Sequence, residues 1–561
     1  MLLVCEISNE QISDNFNDYF TSIASNLVLN LPSTNNDHKY YLNTPNVNSI
    51  FLRPATTNEV ISTIYALNNK STHHSEVPMK VYKQFSLLAY PITVIFNMNE
   101  FGVFPDILKM SRVAPVFKKG DTYSTNNYRP ISNLNNLNKI FEKLIYKRLY
   151  SFLDRNNILS TNQYGFRKGL STEDAVNYLI TNVYNYLNVH QYVGAVFLDL
   201  SKAFDTISHD ILISKLEYYG IRGKCLNLLE SYLQNRHQYV CVNGTKSCLK
   251  PVSLGVPQGS ILGPLLFLIY INDLPSVVNY SDCLLYADDT TLFYNESNLN
   301  LLCKRLSEDM ELVHNCLTSN KLIINTNKTK FLVFTNKNIP PNTSLTFNNF
   351  EINLSYDHNF LGIHIDNHLS FKQHICLISG KVSKTIGILC KIKNFVPSNI
   401  LRTIYFSLIQ PYLSYGISVW GAARKSNIKP LATLQKRSVR LINNSNYYDH
   451  TNPLFYNLNI LKLGDMYKIR CLKYMYNVIL LGKFNFIQSF ILHSQVFHGH
   501  ETRCSDLRLP TVRIYKFKQS LIYNATYIWN IYKSVVTIDK GIYYFLRQLK
   551  KNLIEQYNIP T

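Results

Sequence analysis

Acidic residues are the scarce class in this chain: 36 Asp and Glu stand against 57 Lys and Arg in 561 residues, a formal net charge of +21. Such an excess favours a polyanionic partner, because Lys and Arg displace the counterions condensed on phosphates. Asn, Lys, Ile, Tyr and Phe are abundant together, so A+T-rich codons account for part of the lysine excess. Long apolar runs are missing. No stretch approaches the roughly 18 to 20 residues of a membrane span. The opening Met1-Leu2-Leu3-Val4-Cys5-Glu6 has neither a basic region nor a full apolar core, so it does not make a convincing signal peptide. Paired cysteines are missing too. The 11 cysteines are scattered, with Cys225, Cys241, Cys248 and Cys283 in no Cys-x-x-Cys spacing. That argues against a zinc site and against a disulfide framework. Reduced cysteines fit a nuclear or cytoplasmic location, not a secreted one. No internal repeat of fixed period is present. With 46% hydrophobic and 17% charged residues the chain is globular.

What is present begins with Tyr286-Ala287-Asp288-Asp289, set between the apolar runs 283–285 and 292–294. The pattern predicts strand, tight turn, strand, with two carboxylates at the turn. Alone, an Asp-Asp pair reads as a solvated hairpin tip. A second strand-end carboxylate, in Val196-Phe197-Leu198-Asp199, changes that reading. Two such carboxylates that meet in space can hold hard divalent cations for phosphoryl transfer. Between them lies Gly255-Val256-Pro257-Gln258-Gly259-Ser260-Ile261-Leu262-Gly263-Pro264, followed by the apolar run 265–271. Gly and Pro at this density predict a rigid loop open to close ligand approach. The helix after it is expected to point its N-terminus at a phosphate.

In this order and spacing, Phe197-Leu198-Asp199-Leu200-Ser201-Lys202-Ala203-Phe204-Asp205 resembles motif A of the reverse transcriptases of non-LTR (LINE-type) retrotransposons, in their jockey-like branch. Residues 255–264 resemble motif B, and 286–289 motif C. Ala114 to Asp121 with Asn127 to Ser132 resembles the first fingers block, and Gln163-Tyr164-Gly165-Phe166-Arg167 the second. Residues 325–334 resemble motif D, and Phe360-Leu361-Gly362-Ile363 the primer-grip hairpin. Tyr412 to Gly416 and Trp420-Gly421 match a signature after the palm. The resemblance covers residues 100–445 firmly and most of the remainder weakly.

The resemblance implies an RNA-directed DNA polymerase that copies element RNA into cDNA from a primer 3′-hydroxyl. It implies two Mg²⁺ ions, with Mn²⁺ as the alternative, and an RNA template, a DNA primer or target and dNTPs as partners. Asp199 and Asp288 are the implied metal ligands, with Leu200 lending a backbone carbonyl, and Asp289 is the third carboxylate. Phe204 stands where the family places a steric gate beneath the sugar. Its plain alternative is a core aromatic. Gln258 and Gly259 would contact nucleotide and template. Arg129 with Lys118 or Lys119 would meet the triphosphate, and Lys328 or Lys330 would protonate the leaving pyrophosphate. Each of these cations also reads as an ordinary solvated lysine or arginine. His209 and Asp210 read as helix-start residues.

The fold class implied is α+β: a right-hand polymerase with an antiparallel palm sheet, α/β fingers and a helical thumb. The expected division is 1–95 as an N-terminal helical extension and linker, 96–375 as fingers and palm, 376–450 as thumb, and 451–561 as a helical C-terminal region. Residue spacing predicts helices over 12–27, from 57, over 137–153 and over 299–317. It predicts strands over 192–198, 238–242, 249–254 and 331–334, a turn at 338–342, and a helix with Ile386, Leu389, Ile392 and Phe395 on its apolar face. Another helix, 434–442, is basic. No endonuclease-like or ribonuclease H-like pattern appears, so the chain is expected to be a piece of a longer reading frame, with Met1 an internal or artificial start. Other readings stay open: a telomerase or intron maturase, an RNA-dependent RNA polymerase, or a catalytically inactive, element-derived RNA-binding remnant.

Overall fold

Continuous apolar runs decide the central sheet of the computed structural model, which describes residues 8–32, 36–69, 77–98, 102–482, 507–533 and 541–558. In chain order the first nine strands are β1 (Met110–Phe117), β2 (Tyr128–Asn133), β3 (Tyr192–Leu198), β4 (Arg236–Val242), β5 (Thr245–Lys246), β6 (Lys250–Val252), β7 (Asp282–Tyr286), β8 (Asp289–Glu296) and β9 (Lys330–Phe334). The central sheet runs β7-β8-β3-β9, antiparallel throughout. On β3, Val193, Ala195 and Phe197 face a core shared with the helix Thr172–Asn188. Val196 and Leu198 face the opposite core, shared with Leu302 and Leu306 of the helix Leu299–Ser319. The sheet is therefore covered on both faces, which is why β3 reads as a continuous apolar run. Each of these valine, leucine and phenylalanine side chains contributes roughly 1.5–3 kcal/mol by leaving water.

A second sheet runs β2-β1-β4-β5, with β6 also on β4. β1 is parallel to β4 and antiparallel to β2. The helix Asn9–Leu29 starts on a capping box of Ser8 and Gln11. It lies on this sheet, where Phe16 and Phe20 close over Val113 and Val240. Asn17 Nδ2 donates to the Cys248 carbonyl at 2.7 Å, which fixes the helix beside β6. Thr56 caps the helix Thr57–Ala66.

Two hairpins follow β9: β10 (Ser344–Phe347) with β11 (Phe350–Asn353), and β12 (Asp357–Phe360) with β13 (Ile363–Asp366). Beyond them the described chain is helical, including Lys372–Ile392, Lys425–Ile442, Leu463–Leu481, Leu521–Tyr532 and Ile542–Glu555. The segment 412–421 is tied to the last hairpin. Tyr415 Oη donates to the Leu361 carbonyl at 2.5 Å, and the buried Trp420 donates from Nε1 to the Tyr415 carbonyl at 2.9 Å.

The helices and strands expected from residue spacing occur at those places, most with boundaries shifted by a few residues, although the basic helix expected over 434–442 begins at Lys425. Two expectations are corrected. Phe395 lies past the end of its helix and is 84% exposed, so it is not on the apolar face. The helix Gly263–Tyr270 does not offer its N-terminus to a phosphate: Ser260 Oγ accepts from Gly263 N at 2.9 Å, Pro264 has no N–H, and just ahead of the helix the buried Glu142 Oε2 accepts from Ile261 N at 2.6 Å. Residues 1–7, and residues 483–506, 534–540 and 559–561 of the expected C-terminal helical region, lie outside the described residues. No described helix is long and apolar enough to cross a membrane.

Candidate active site

Strand register brings the carboxylates together. β3 pairs with β8 so that Leu198 lies opposite Thr290, and the next residues on either strand are Asp199 and Asp289. Asp288 sits beside them in the two-residue loop that joins β7 to β8, where Tyr286 pairs with Asp289. Ala287 takes a left-handed φ of 55°, unusual for a residue with a Cβ. Loss of solvent raises the Asp288 carboxyl, helped by the charge of Asp199 and opposed by Arg129 and Lys118. Asp289 keeps one face in solvent, yet crowding and then the charges of Asp288 and Asp199 push it up to about 6. The three acids thus repel one another in the absence of a cation.

Cations ring this cluster. Lys328 Nζ lies 3.1 Å from Asp199 Oδ2. Lys118 follows β1, and Arg129 lies on β2 opposite Val116. The Lys118 ammonium is depressed first by desolvation and then by Arg129 and Lys328, while Asp199 supports it. Lys118, Arg129, Lys328 and the acids therefore share one locus. Lys119, next in the chain, adds to the lowering of the Lys118 ammonium. Lys330, at the start of β9, lines a cleft of about 360 Å³ with Asp199, Asp289, Lys328 and His358. Of the two motif D lysines, Lys328 is the one paired with a carboxylate.

Leu200 forms an isolated antiparallel bridge with Ile324. Asn325 N donates to the Asp199 carbonyl at 2.7 Å and Ser201 N to the Ile323 carbonyl at 2.8 Å, so the Leu200 carbonyl points away from that partner. Phe204 is half-buried and stacks on Phe267, centroids 4.5 Å apart at 26°. Both the gate and the core-aromatic reading are compatible with that placement.

The Gly-Pro loop is held from several sides. Val256 N donates to the Phe204 carbonyl at 3.0 Å and Gly255 N to the Ile207 carbonyl at 2.8 Å. A Cβ on Gly255, whose φ is +80°, would stand 2.6 Å from the Asp205 carbonyl oxygen. Gln258 Nε2 donates to Asp205 Oδ1 at 2.7 Å, and its carbonyl accepts from Ser132 N at 2.7 Å. Burial raises the Asp205 carboxyl, and Gln258 and Lys202 oppose the rise. Gly259 has φ +123°, and a Cβ there would meet the Ser132 carbonyl oxygen at 2.6 Å. His209 starts the helix His209–Tyr218 and contacts the Gly255 carbonyl through Nε2 at 2.8 Å. Asp210 lies in the first turn of that helix.

Three residues near the site were given no role by sequence reasoning, although Gln163 opens the second fingers block. Glu142 ties the helix Asn136–Arg155 to the loop and to Tyr232 Oη at 2.7 Å; its signal was a carboxylate in the middle of an apolar face. Gln163 Oε1 accepts from Ala287 N at 2.9 Å. Tyr19, from the N-terminal helix, lies under Lys202 Nζ at 5.5 Å and had no local signal.

Residues 116–365 match the family described as "Reverse transcriptase (RNA-dependent DNA polymerase)". The chain carries the reverse transcriptase domain of a jockey-like non-LTR retrotransposon. It is 31% identical over 440 residues to a Drosophila melanogaster protein named "Probable RNA-directed DNA polymerase from transposon BS", covering 75% of this chain and 48% of the relative. It is 30% identical to the RNA-directed DNA polymerase from mobile element jockey of the same fly, covering 68% of this chain and 43% of the relative. The jockey protein of Drosophila funebris is 26% identical over 68% of this chain and 43% of its own length. The chain thus spans less than half the length of these relatives. Reverse transcriptases generally use divalent metal ions. The donor set fits such ions: hard carboxylates gathered at one turn, with Asp288 and Asp289 raised in proton affinity, next to a backbone carbonyl. Among the described residues no group of three or more His, Cys, Asp or Glu side chains is gathered tightly enough to hold an ion by itself. Two carboxylates plus the Leu200 carbonyl do not require such a group.

Proposed function

We propose that this chain is an RNA-directed DNA polymerase that extends a primer 3′-hydroxyl with dNTPs on element RNA. The observation that carries the reading is the β3–β8 register, which sets Asp199 against the Asp288–Asp289 turn with Lys118, Arg129 and Lys328 around them. Asp199, Asp288 and the Leu200 carbonyl would hold the divalent ions, in the first instance two Mg²⁺ with Mn²⁺ as substitute. Bound there, such ions would supply activation of the attacking hydroxyl and charge stabilisation for the leaving pyrophosphate. Asp289 adds negative charge on the primer side. Lys118 and Arg129 meet the triphosphate, where guanidinium and ammonium match phosphate charge. Lys328 releases Asp199 when cations enter and supplies a proton to pyrophosphate. Gln258 and Gly259 form a rigid floor for nucleotide and template, and Phe204 closes the space a 2′-hydroxyl would need.

On this reading the sheet β7-β8-β3-β9 is the palm, and β1, β2 and β4 with their helices are the fingers. Residues 376–450 are the thumb, 451–561 a helical C-terminal region, and 1–95 an N-terminal extension. The protein would work in nucleus and cytoplasm. Primer extension on an RNA template with Mg²⁺ and dNTPs, run beside Asp288→Ala, tests the proposal. Extension by the parent and its loss in the variant are expected. A well-folded parent that extends nothing would overturn it and leave an inactive RNA-binding remnant.

A further inference from the structure

We infer that Gln163 is a positioning residue for the carboxylate turn, clamping the backbone of Ala287 so that Asp288 is presented to the metal site; this rests on the polymerase reading above. Gln163 is 2% exposed. The segment around it runs beside β7 as a short parallel bridge, Gln163 to Leu285. Tyr164 N donates to the Leu285 carbonyl at 2.8 Å, and Leu285 N donates to the Asn162 carbonyl at 2.9 Å. Gln163 Oε1 then accepts two backbone donors at once, Gly165 N at 2.7 Å and Ala287 N at 2.9 Å.

Those two donors fix which end of the amide faces them. The flipped rotamer would set an NH₂ group against two N–H groups. The orientation leaves Gln163 Nε2 buried without a hydrogen-bond partner, an unfavourable state retained only because the carbonyl end satisfies two amides. Its target is the strained point of the turn, since Ala287 has φ 55°. Gly165 completes the fit. A Cβ there would stand 2.3 Å from Ala287 N and 2.9 Å from the Tyr286 carbonyl carbon, so backbone packs directly on backbone. Asp288 is the residue after the clamped amide. If the clamp is removed, the turn relaxes and the carboxylate moves.

The test uses the full chain and two variants. Gln163→Met keeps the side chain's shape but has no carbonyl. Gln163→Glu keeps a carbonyl oxygen for both amides in either protonation state. Primer extension with Mg²⁺ is expected to show a kcat lower by about 100-fold in Gln163→Met, the scale of a misplacement of about 1 Å. The KM for dNTP and the affinity for template–primer should stay within about threefold, and Gln163→Glu should recover most of kcat. Hydrogen exchange of the peptide 284–290 should be at least about tenfold faster in Gln163→Met than in the parent. Unchanged kcat and unchanged exchange in a folded Gln163→Met would overturn the clamp. So would a Gln163→Glu no better than Gln163→Met, or a fall in kcat matched by equal losses of template affinity and melting temperature. A parent without extension activity would overturn the polymerase reading instead, and the exchange comparison would still decide the clamp.

Discussion

Asp289 carries the pH response of the site. Its carboxyl is pushed up to about 6 by crowding and by Asp288 and Asp199. A divalent cation competes with that proton, so cation affinity should fall as pH drops through about 6. Titration calorimetry with Mg²⁺ at pH 5.5 and 7.5 should show weaker binding at the lower pH, and Asp289→Asn should flatten the difference. The effect on stability has the opposite sign. Between the ordinary carboxylate value and about 6 the folded chain holds a proton that the unfolded chain has lost, so stability from this group is present at low pH and lost as pH rises through about 6. The cation-free protein at pH 7.5 should accordingly melt higher on addition of Mg²⁺. Asp288→Asn should raise the cation-free melting temperature and shrink the Mg²⁺ gain. A cation-free Asp288→Asn that melts no higher than the parent would show that the three acids do not repel.

At the scale of elements, one buried ion pair locks the helix after motif A to the helix after motif B. Lys215 Nζ contacts Asp273 Oδ1 at 2.6 Å and the Tyr270 carbonyl at 2.5 Å, with both side chains essentially inaccessible. Lys215→Met leaves the Asp273 carboxylate unpaired in the interior and should cost about 3–5 kcal/mol in urea unfolding. The double variant Lys215→Met, Asp273→Leu should regain most of it, because apolar replacement of a whole buried pair is often near neutral. A double variant as unstable as the single one would mean the pair itself stabilises. These contacts also explain how much of the molecule was legible in the sequence. Local signals sufficed for the helices expected from spacing but not for Thr172–Asn188, which covers one face of the sheet, and they sufficed for β3 and β7–β8, whose apolar runs stop at carboxylates or at a turn. The partners of Lys215, Glu142 and Gln163 lie 58, 119 and 124 residues away. A polar residue on an apolar face announces that it is satisfied somewhere, but spacing does not say where. The loop before the helix Gly263–Tyr270 misled for that reason: its free amides suggested a phosphate, and a distant internal carboxylate takes one of them.

For the whole molecule, the net charge of +21 matters by where it is concentrated. The helices Lys372–Ile392 and Lys425–Ile442 contain no acidic residue, and they pack on each other. Lys381, Lys384, Lys391, Lys425, Lys429, Lys436 and Arg437 are exposed on them, and Lys381 lies over the Tyr412 ring at 5.2 Å. Codon bias alone would scatter lysines among acids, whereas a pair of packed helices without any acid concentrates positive charge. Binding there should proceed by release of counterions from a phosphate backbone. Template–primer affinity should therefore fall by about 10³-fold or more between 50 and 200 mM salt if six or more phosphates are engaged. Replacing Lys381, Lys384 and Lys391 together with Gln should lower the steepness of the log–log salt dependence by roughly two to three, with little change in melting temperature, because all three side chains are in solvent. Fluorescence anisotropy with a labelled RNA–DNA hybrid measures both quantities. A slope unchanged by the triple substitution would mean that the duplex is gripped elsewhere and that these lysines are only a solvated face.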